Sequence, residues 1–296
     1  MISDRDVEFY RETGYLVVQN VLSPNDVERL RRTTGEMIER ARGLTAHTEV
    51  YDLEPDHRPD RPRVRRIKMP HAHHPEYRRL VDHLNIVAVL QRLIGHAIRF
   101  DTAKLNMKDA GGGAAVEWHQ DWAFYPHTND DLCAVGIMMD DCELENGPLM
   151  ILPGTHKGPI YDHHDEHGRF CGAIDPSRVD LDFKAAVPLT GPAGSITVHH
   201  ARVIHGSAPN KSSKPRRLLL HQYRAADAWP LLGLQNGMDW AGYNALLVTG
   251  EPSLEPRLER VPVRLPLPPA DYQGSIYENQ RTLGRRYFEE EAAAAV

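Results

Sequence analysis

From about residue 97 the sequence settles into short runs of β-forming residues separated by turn signals. The runs fall near 98–107, 133–139, 148–152, 185–189, 195–199 and 218–224. Between them lie Gly111-Gly112-Gly113, Asn146-Gly147, Pro153-Gly154, Gly191-Pro192 and Gly206. Many short strands with such punctuation predict a β-sandwich or barrel. Upstream the pattern is helical. Residues 3–13 read as a short helix with Val7 and Tyr10 on one face, stopped at Gly14 and followed by a brief strand, Tyr15–Val18. Ser23-Pro24-Asn25-Asp26 is a helix start, with Ser23 as N-cap, Pro24 in the first turn and Gly43 as a possible stop. A third helix is predicted over 75–94, with Leu80, Val81, Leu84, Val87, Leu90 and Leu93 inward.

The chain therefore reads as mainly β with flanking helices. No repeat and no compositional break marks a linker, so the expectation is one catalytic domain over 1–296. Its N-terminal helical part, about 1–96, would pack on a β core of about 97–226, followed by an extension of about 227–296. Residues 44–73 read as a long loop with one strand near 64–68; it is either an active-site cover or a surface excursion. Residues 289–296 look like a fraying helix or tail.

The chemistry concentrates in the β half. His119 and Asp121 form a His-x-Asp pair in Glu117-Trp118-His119-Gln120-Asp121-Trp122. In an extended strand, side chains at i and i+2 share a face, so imidazole and carboxylate can converge on one metal ion. Two nitrogens and one carboxylate with open positions opposite are the facial triad of non-haem Fe(II) oxygenases. His205 is the candidate second histidine: an apolar strand leads into it, and Gly206 allows a tight turn after it. Arg216 and Arg217 stand at the start of an apolar strand, where a planar guanidinium suits a carboxylate partner. Strand parity places the two on opposite faces, so they should not be interchangeable.

Bulk properties exclude other classes. The formal net charge is −6 and the basic residues are scattered, which argues against nucleic acid or an anionic membrane as partner. Three cysteines without metal or redox spacing fit a reducing compartment. The N-terminus lacks an apolar leader, and no apolar run approaches the roughly 20 residues that span a bilayer. A cytoplasmic enzyme of a small-molecule substrate is expected.

Together, Trp118-His119-Gln120-Asp121, Asn146-Gly147-Pro148-Leu149, Pro153-Gly154-Thr155-His156-Lys157 and His205-Gly206-Ser207 with Asn210 and Arg216 resemble the phytanoyl-CoA dioxygenase family, ectoine hydroxylases included. Phe9-Tyr10 and Gly14-Tyr15-Leu16-Val17-Val18 fit as well, and the resemblance covers roughly residues 5–226. It implies a double-stranded β-helix, a cupin-like jelly-roll, with iron in its mouth. It implies His119, Asp121 and His205 as ligands of Fe(II), and Arg216 as partner of the distal carboxylate of 2-oxoglutarate. Asn106, with Thr102 and Lys108 as alternatives, and Ser207 would also reach this co-substrate. The implied reaction uses O2 to hydroxylate an unactivated C–H bond while 2-oxoglutarate yields succinate and CO2. Related halogenases lack the carboxylate, so Asp121 favours oxidation over halogenation. Desaturation, cyclisation or epimerisation on the same scaffold remain open, as does a jelly-roll binding protein or isomerase without O2 chemistry.

Other residues near the motif have their own readings. Trp122 and Tyr125 are candidates for substrate contact, and Trp118 reads as core. His127 reads as a solvated loop residue, and His163, His164 and His167 as a structural or gating loop. His199 is an alternative ligand by proximity. His156 and His221 read as fold-supporting, and Glu117 as a possible neighbour of the metal or substrate. Arg63, Arg65, Arg66 and Lys68 read as a solvated charge run, with a phosphate site as the alternative.

Overall fold

The computed structural model describes residues 2–233, 239–271 and 275–288; the tail expected at 289–296 lies outside the described residues. The first helix, α1 (Asp4–Thr13), begins in a capping box: the Ser3 side chain accepts from the Asp6 amide, and Asp6 accepts from the Ser3 amide at 2.7 Å. It ends at Gly14, whose φ of 81° only glycine adopts without strain; a Cβ there would also lie 2.6 Å from the His156 ring. His156 is thus packed on the helix stop, a fold-supporting place. After β1 (Tyr15–Val18), a second capping box of Ser23 and Asp26 starts α2 (Pro24–Arg40). This helix closes at Ala41, two residues before Gly43.

The segment 44–73 is more ordered than a loop. It holds β2 (Tyr51–Leu53) and β3 (Val64–Lys68), then a single helical turn, α3 (Pro70–His73). The helix expected over 75–94 is broken into α4 (Pro75–Arg78) and α5 (Leu84–Ile94). Between them the backbone runs in three-residue turns, and the Val81 carbonyl accepts from the Tyr223 hydroxyl at 2.9 Å.

The β half follows as β4 (Ile98–Lys108), β5 (Val116–His119), β6 (Leu132–Met138), β7 (Leu149–Ile151), β8 (Val187–Leu189), β9 (Ile196–His200), β10 (His205–Ser207) and β11 (Arg216–Ala225). The described part of the C-terminal region adds α6 (Trp240–Asn244), β12 (Leu247–Thr249) and α7 (Ile276–Asn279). Every strand pairing among the described residues is antiparallel. One sheet runs β1-β9-β6-β11-β4-β3-β2 with β12 also on β4; the other runs β5-β10-β7-β8. These are the two sheets of a jelly-roll.

The N-terminal part is therefore not only a helical layer. It adds β1 to one edge of the larger sheet, and β2 and β3 to the other. The alternation of β11 divides the molecule. Leu219 and Tyr223 face Leu30, Met37, Tyr77 and Leu90 in the main apolar core under the helices. Arg216, Leu218, Leu220 and Gln222 face the space between the sheets. Burying a Leu or Met side chain contributes about 1.5–3 kcal/mol, so the helical layer fixes which face of the large sheet is left for chemistry.

Candidate active site

Strands β5 and β10 pair so that His119 and His205 are register partners, with ring centroids 4.1 Å apart. Nδ1 of His119 lies 2.8 Å from the Glu117 carbonyl, and Nδ1 of His205 lies 3.0 Å from the Val203 carbonyl. A carbonyl can only accept, so each Nδ1 carries the proton and each Nε2 lone pair is free to bind a metal. Gln120 stays extended (φ −119°, ψ 124°), which carries the i, i+2 relation onto Asp121 at the start of a 3-10 turn. Asp121 Oδ1 is 3.9 Å from Nε2 of His119 and 3.9 Å from Nε2 of His205. One ligand atom from each of the three side chains falls within 4.8 Å of the others, and all three residues are buried.

The electrostatics suit a cation. Burial pulls the His119 pKa down to about 4 and that of His205 well below the usual imidazole range, so both are neutral ligands near pH 7. Burial would push the Asp121 carboxyl up. Lys104, with Nζ 3.8 Å from Oδ1, and the neighbouring histidines outweigh it and hold the carboxyl well below its ordinary value. Two neutral imidazoles and one carboxylate on one wall, open on the other side, fit a six-coordinate Fe(II).

Next to this cluster is a narrow recess lined by Asn106, Val116, Leu149, Ser207, Arg216, Leu218 and Tyr277. Arg216 is buried, and its Nε donates to the Gly147 carbonyl at 3.1 Å. No other hydrogen bond to its guanidinium occurs among the described residues, which leaves the fork facing the recess. Arg217, across the strand, is held by Asp140 instead, with Nε 2.8 Å from Oδ2. Asn106 presents a buried Oδ1 with no partner. Ser207 accepts from Lys108, Nζ to Oγ 2.8 Å, and Lys108 also donates to the Ser207 and Ala208 carbonyls. Lys108 is thus spent on the fold, and Asn210 is too: it donates to the Lys108, Asp109 and Lys214 carbonyls.

Gly147, whose carbonyl anchors Arg216, is a constrained position beside this recess. Its φ is +73°, and a Cβ would sit 2.5 Å from the Ala208 carbonyl oxygen. Gly147→Ala should therefore cost about 1–3 kcal/mol in urea denaturation and loosen the anchor of Arg216. Unchanged stability would show that the turn relaxes freely.

A larger cavity of about 640 Å³ opens on the other side of Asp121. Phe124, Tyr125, Phe170 and Gln222 line it, together with Arg66, Lys68, Thr102 and Lys104. Cross-strand pairing of β3 with β4 sets Arg66 opposite Asn106 and Lys68 opposite Lys104. Residues of the 44–73 segment thus form a wall of the site, and Arg66 and Lys68 leave the solvated charge run. Trp122 requires correction. Immediately after Asp121 the chain turns, and the indole packs with Leu132, Ala201, Ala225 and Ala228, its Nε1 donating to the Pro262 carbonyl at 2.8 Å. It lines neither cavity. His127 is also corrected: it is 1% exposed, and burial pulls its pKa down to about 4.

Trp118 lies in an apolar cluster with Phe183 and Phe288, and His221 in the helix-side core beside Phe100 and Tyr223. Glu117 accepts from the Phe288 amide and lines neither cavity. His163, read as part of a loop, holds the bridge between two ligands: its Nε2 accepts from the Gln120 amide at 2.9 Å. The Gln120 side chain donates to the Pro159 and Arg202 carbonyls. No local signal points to His163, because its partner is 43 positions away. Tyr277 and Ile276, from the C-terminal region, close the recess and carry no local signal either.

Comparison with known proteins finds a family and a fold for the chain. The family profile described as phytanoyl-CoA dioxygenase (PhyH) matches residues 10–218. A probable alpha-ketoglutarate-dependent hypophosphite dioxygenase of Stutzerimonas stutzeri is 40% identical over 282 residues, covering 94% of this chain and 97% of its own. The L-proline trans-4-hydroxylase of Streptomyces griseoviridis is 29% identical over 240 residues, covering 75% and 86%. Among solved structures, EctD from S. alaskensis with bound Fe superposes with a TM-score of 0.64 at 24% identity, over 88% of each chain. The carbocyclase SnoK from nogalamycin biosynthesis gives 0.61 at 24% identity, over 80% of this chain and 89% of its own.

Proposed function

This chain belongs to the phytanoyl-CoA dioxygenase family, and from that premise we propose that it oxidises a small anionic substrate at iron held by His119, Asp121 and His205. It is an Fe(II)- and 2-oxoglutarate-dependent dioxygenase. The alternative of an O2-independent binding protein or isomerase falls with that membership. When bound, Fe(II) and 2-oxoglutarate supply the oxidising power: O2 gives one oxygen atom to succinate and one to the substrate, and CO2 is released.

The chain's own residues supply position. Arg216 would take the distal carboxylate of 2-oxoglutarate in its free fork, with Asn106 and Ser207 beside it. Leu218, Leu220 and Val116 would keep water from the recess, which strengthens that ion pair. Tyr125, whose hydroxyl accepts from Gln222, would form the substrate wall.

The observation that carries the substrate class is the charge of the larger cavity. Arg66, Lys68 and Lys104 line it; among the described residues Asp121 and the exposed Glu49 are its only acids. Lys68 is offset by Asp52 at 3.3 Å, and the charge of Asp121 is committed to the metal. Arg66 and Lys104 are then left over, and Arg66 keeps a buried Nε without a partner. A cleft lined by one sign of charge concentrates ions of the other. Hypophosphite, the anion in the name of the relative at 40% identity, fits such a cleft, and its P–H bond would become P–OH. The three buried, unpaired cysteines, Cys133, Cys142 and Cys171, support a reducing compartment, and we place the protein in the cytoplasm. Among the described residues no helix is long and apolar enough to cross a membrane.

Anaerobic protein with Fe(II) and 2-oxoglutarate should show a weak visible charge-transfer band. In air, hypophosphite and small carboxylates should raise succinate formation above the substrate-free rate, with one oxidised product per succinate. Stimulation by neutral or zwitterionic compounds alone would overturn the anionic assignment while leaving the dioxygenase class untouched.

A further inference from the structure

His199, on β9, is 1% exposed; it stands outside the proposed ligand set and lines the wall of the co-substrate recess. Its Nδ1 has no hydrogen-bond partner among the described residues, and its Nε2 makes no fully formed one there, its near oxygen being that of Asp121. A buried imidazole left unsatisfied costs on the order of 1–3 kcal/mol, so its place calls for a physical reason. The ring packs 4.4 Å from that of His205, and Nε2 is 3.5 Å from Asp121 Oδ2.

That contact distinguishes the two oxygens of Asp121. Oδ1 faces the Nε2 atoms of His119 and His205, each at 3.9 Å, and Lys104 Nζ at 3.8 Å. Oδ2 is the oxygen near His199. A metal in the cluster would meet Oδ1. Carboxylates bind cations through one oxygen or through both. Three protein ligand atoms leave three positions on a six-coordinate iron; 2-oxoglutarate fills two, and the third must stay free. A chelating Asp121 would occupy that third position.

We propose that His199 donates its Nε2–H to Asp121 Oδ2 and so restricts this carboxylate to one-oxygen ligation. His199 is a positioning residue. It reaches the carboxylate from the larger sheet, while His119 and His205 come from the smaller one, so the bond also ties the ligand turn across the jelly-roll. The Tyr125 hydroxyl faces the same carboxylate and is the competing candidate for this task. The inference rests on the iron role proposed for His119, Asp121 and His205.

The test compares His199→Phe, which keeps a buried ring without the donor, with His199→Gln, whose amide nitrogen reaches the Nε2 position. Tyr125→Phe serves as the competing variant. Three readouts are taken: the Co(II) ligand-field spectrum, which reports the ligand set, the Fe(II) content, and the 2-oxoglutarate Kd from the anaerobic band. In His199→Phe the Co(II) spectrum should depart from that of the wild type, because a second carboxylate oxygen replaces a solvent ligand, and the 2-oxoglutarate Kd should rise roughly tenfold, at the lower end of outer-contact effects on metal sites. Fe(II) should still bind, and His199→Gln should restore both readouts.

A wild-type spectrum and Kd in folded His199→Phe would overturn the proposal. So would the same changes appearing in Tyr125→Phe instead. If His199→Phe does not fold, His199→Asn replaces it, because its shorter amide cannot reach Oδ2. Wild-type behaviour in His199→Gln with the defect in His199→Asn supports the proposal, and equal behaviour of the two overturns it. Failure of the iron role itself would show differently, as no 2-oxoglutarate band in the wild type.

Discussion

Asp121→Ala removes iron-dependent turnover, by on the order of 10³-fold or more, while the folded state survives. Changing residues that only touch metal ligands costs about 10–100-fold, and loss of a ligand should exceed that. The variant deletes the only carboxylate in a cluster otherwise made of neutral imidazoles. In the metal-free protein, Asp121 is a buried charge supported by Lys104 and the neighbouring histidines. Its removal lifts one desolvation cost but leaves the partner charge uncompensated, so the metal-free variant should lose stability, by up to about 3–5 kcal/mol. Lys104 is then left without its nearest anion, and burial, which already pulls its pKa down, lowers the cost of that loss. The measurement is Fe(II) content and the anaerobic 2-oxoglutarate band, alongside a thermal melt. A variant that keeps the band with a full iron load would remove Asp121 from the ligand set.

Arg216→Ala raises the Kd of 2-oxoglutarate by roughly 100-fold, whereas Arg217→Ala leaves it within about twofold. Truncating one partner of a buried charged pair costs about 2–5 kcal/mol, and about 2.7 kcal/mol corresponds to two decades in affinity. Arg216 is buried, and only its Nε is bonded to protein among the described residues, so the rest of the fork is available to a carboxylate. Arg216→Lys should recover only part of the loss, because a point charge cannot reproduce a planar two-pronged contact. Arg217 is already matched to Asp140, which Arg31 also approaches at 3.4 Å. Its loss should therefore appear as a stability change of about 1 kcal/mol or less. Titration of the anaerobic band with 2-oxoglutarate separates the two variants. A larger effect from Arg217 would mean that β11 presents its other face to the co-substrate.

The contrast between these arginines is legible in the amino-acid order alone, because strand alternation is local and strict. The same holds for His119 with Asp121, two residues apart across an extended Gln120, and for the caps at Ser3 and Ser23, which need partners only three positions away. Legibility ends where local rules stop applying. Trp122 follows Asp121 directly, but the 3-10 turn ends the strand parity and buries the indole elsewhere. The turns at 79–83 are met by Tyr223, more than a hundred residues downstream, and the burial of His127 depends on segments brought to it by the fold.

The sequence by itself determined the His-x-Asp strand spacing, the alternation that sets Arg216 and Arg217 on opposite faces, and the mainly β class with its helical layer. Periodicity and capping act over a few residues and survive without knowledge of the whole. Tertiary structure alone decided which charges face the larger cavity. Arg66 and Lys68 read as a solvated run, yet pairing of β3 with β4 turns them toward Lys104 and the cavity. It alone set His163 on the Gln120 amide and His199 beside Asp121 Oδ2. These contacts join residues far apart in the chain, and their geometry exists only once two sheets have packed face to face.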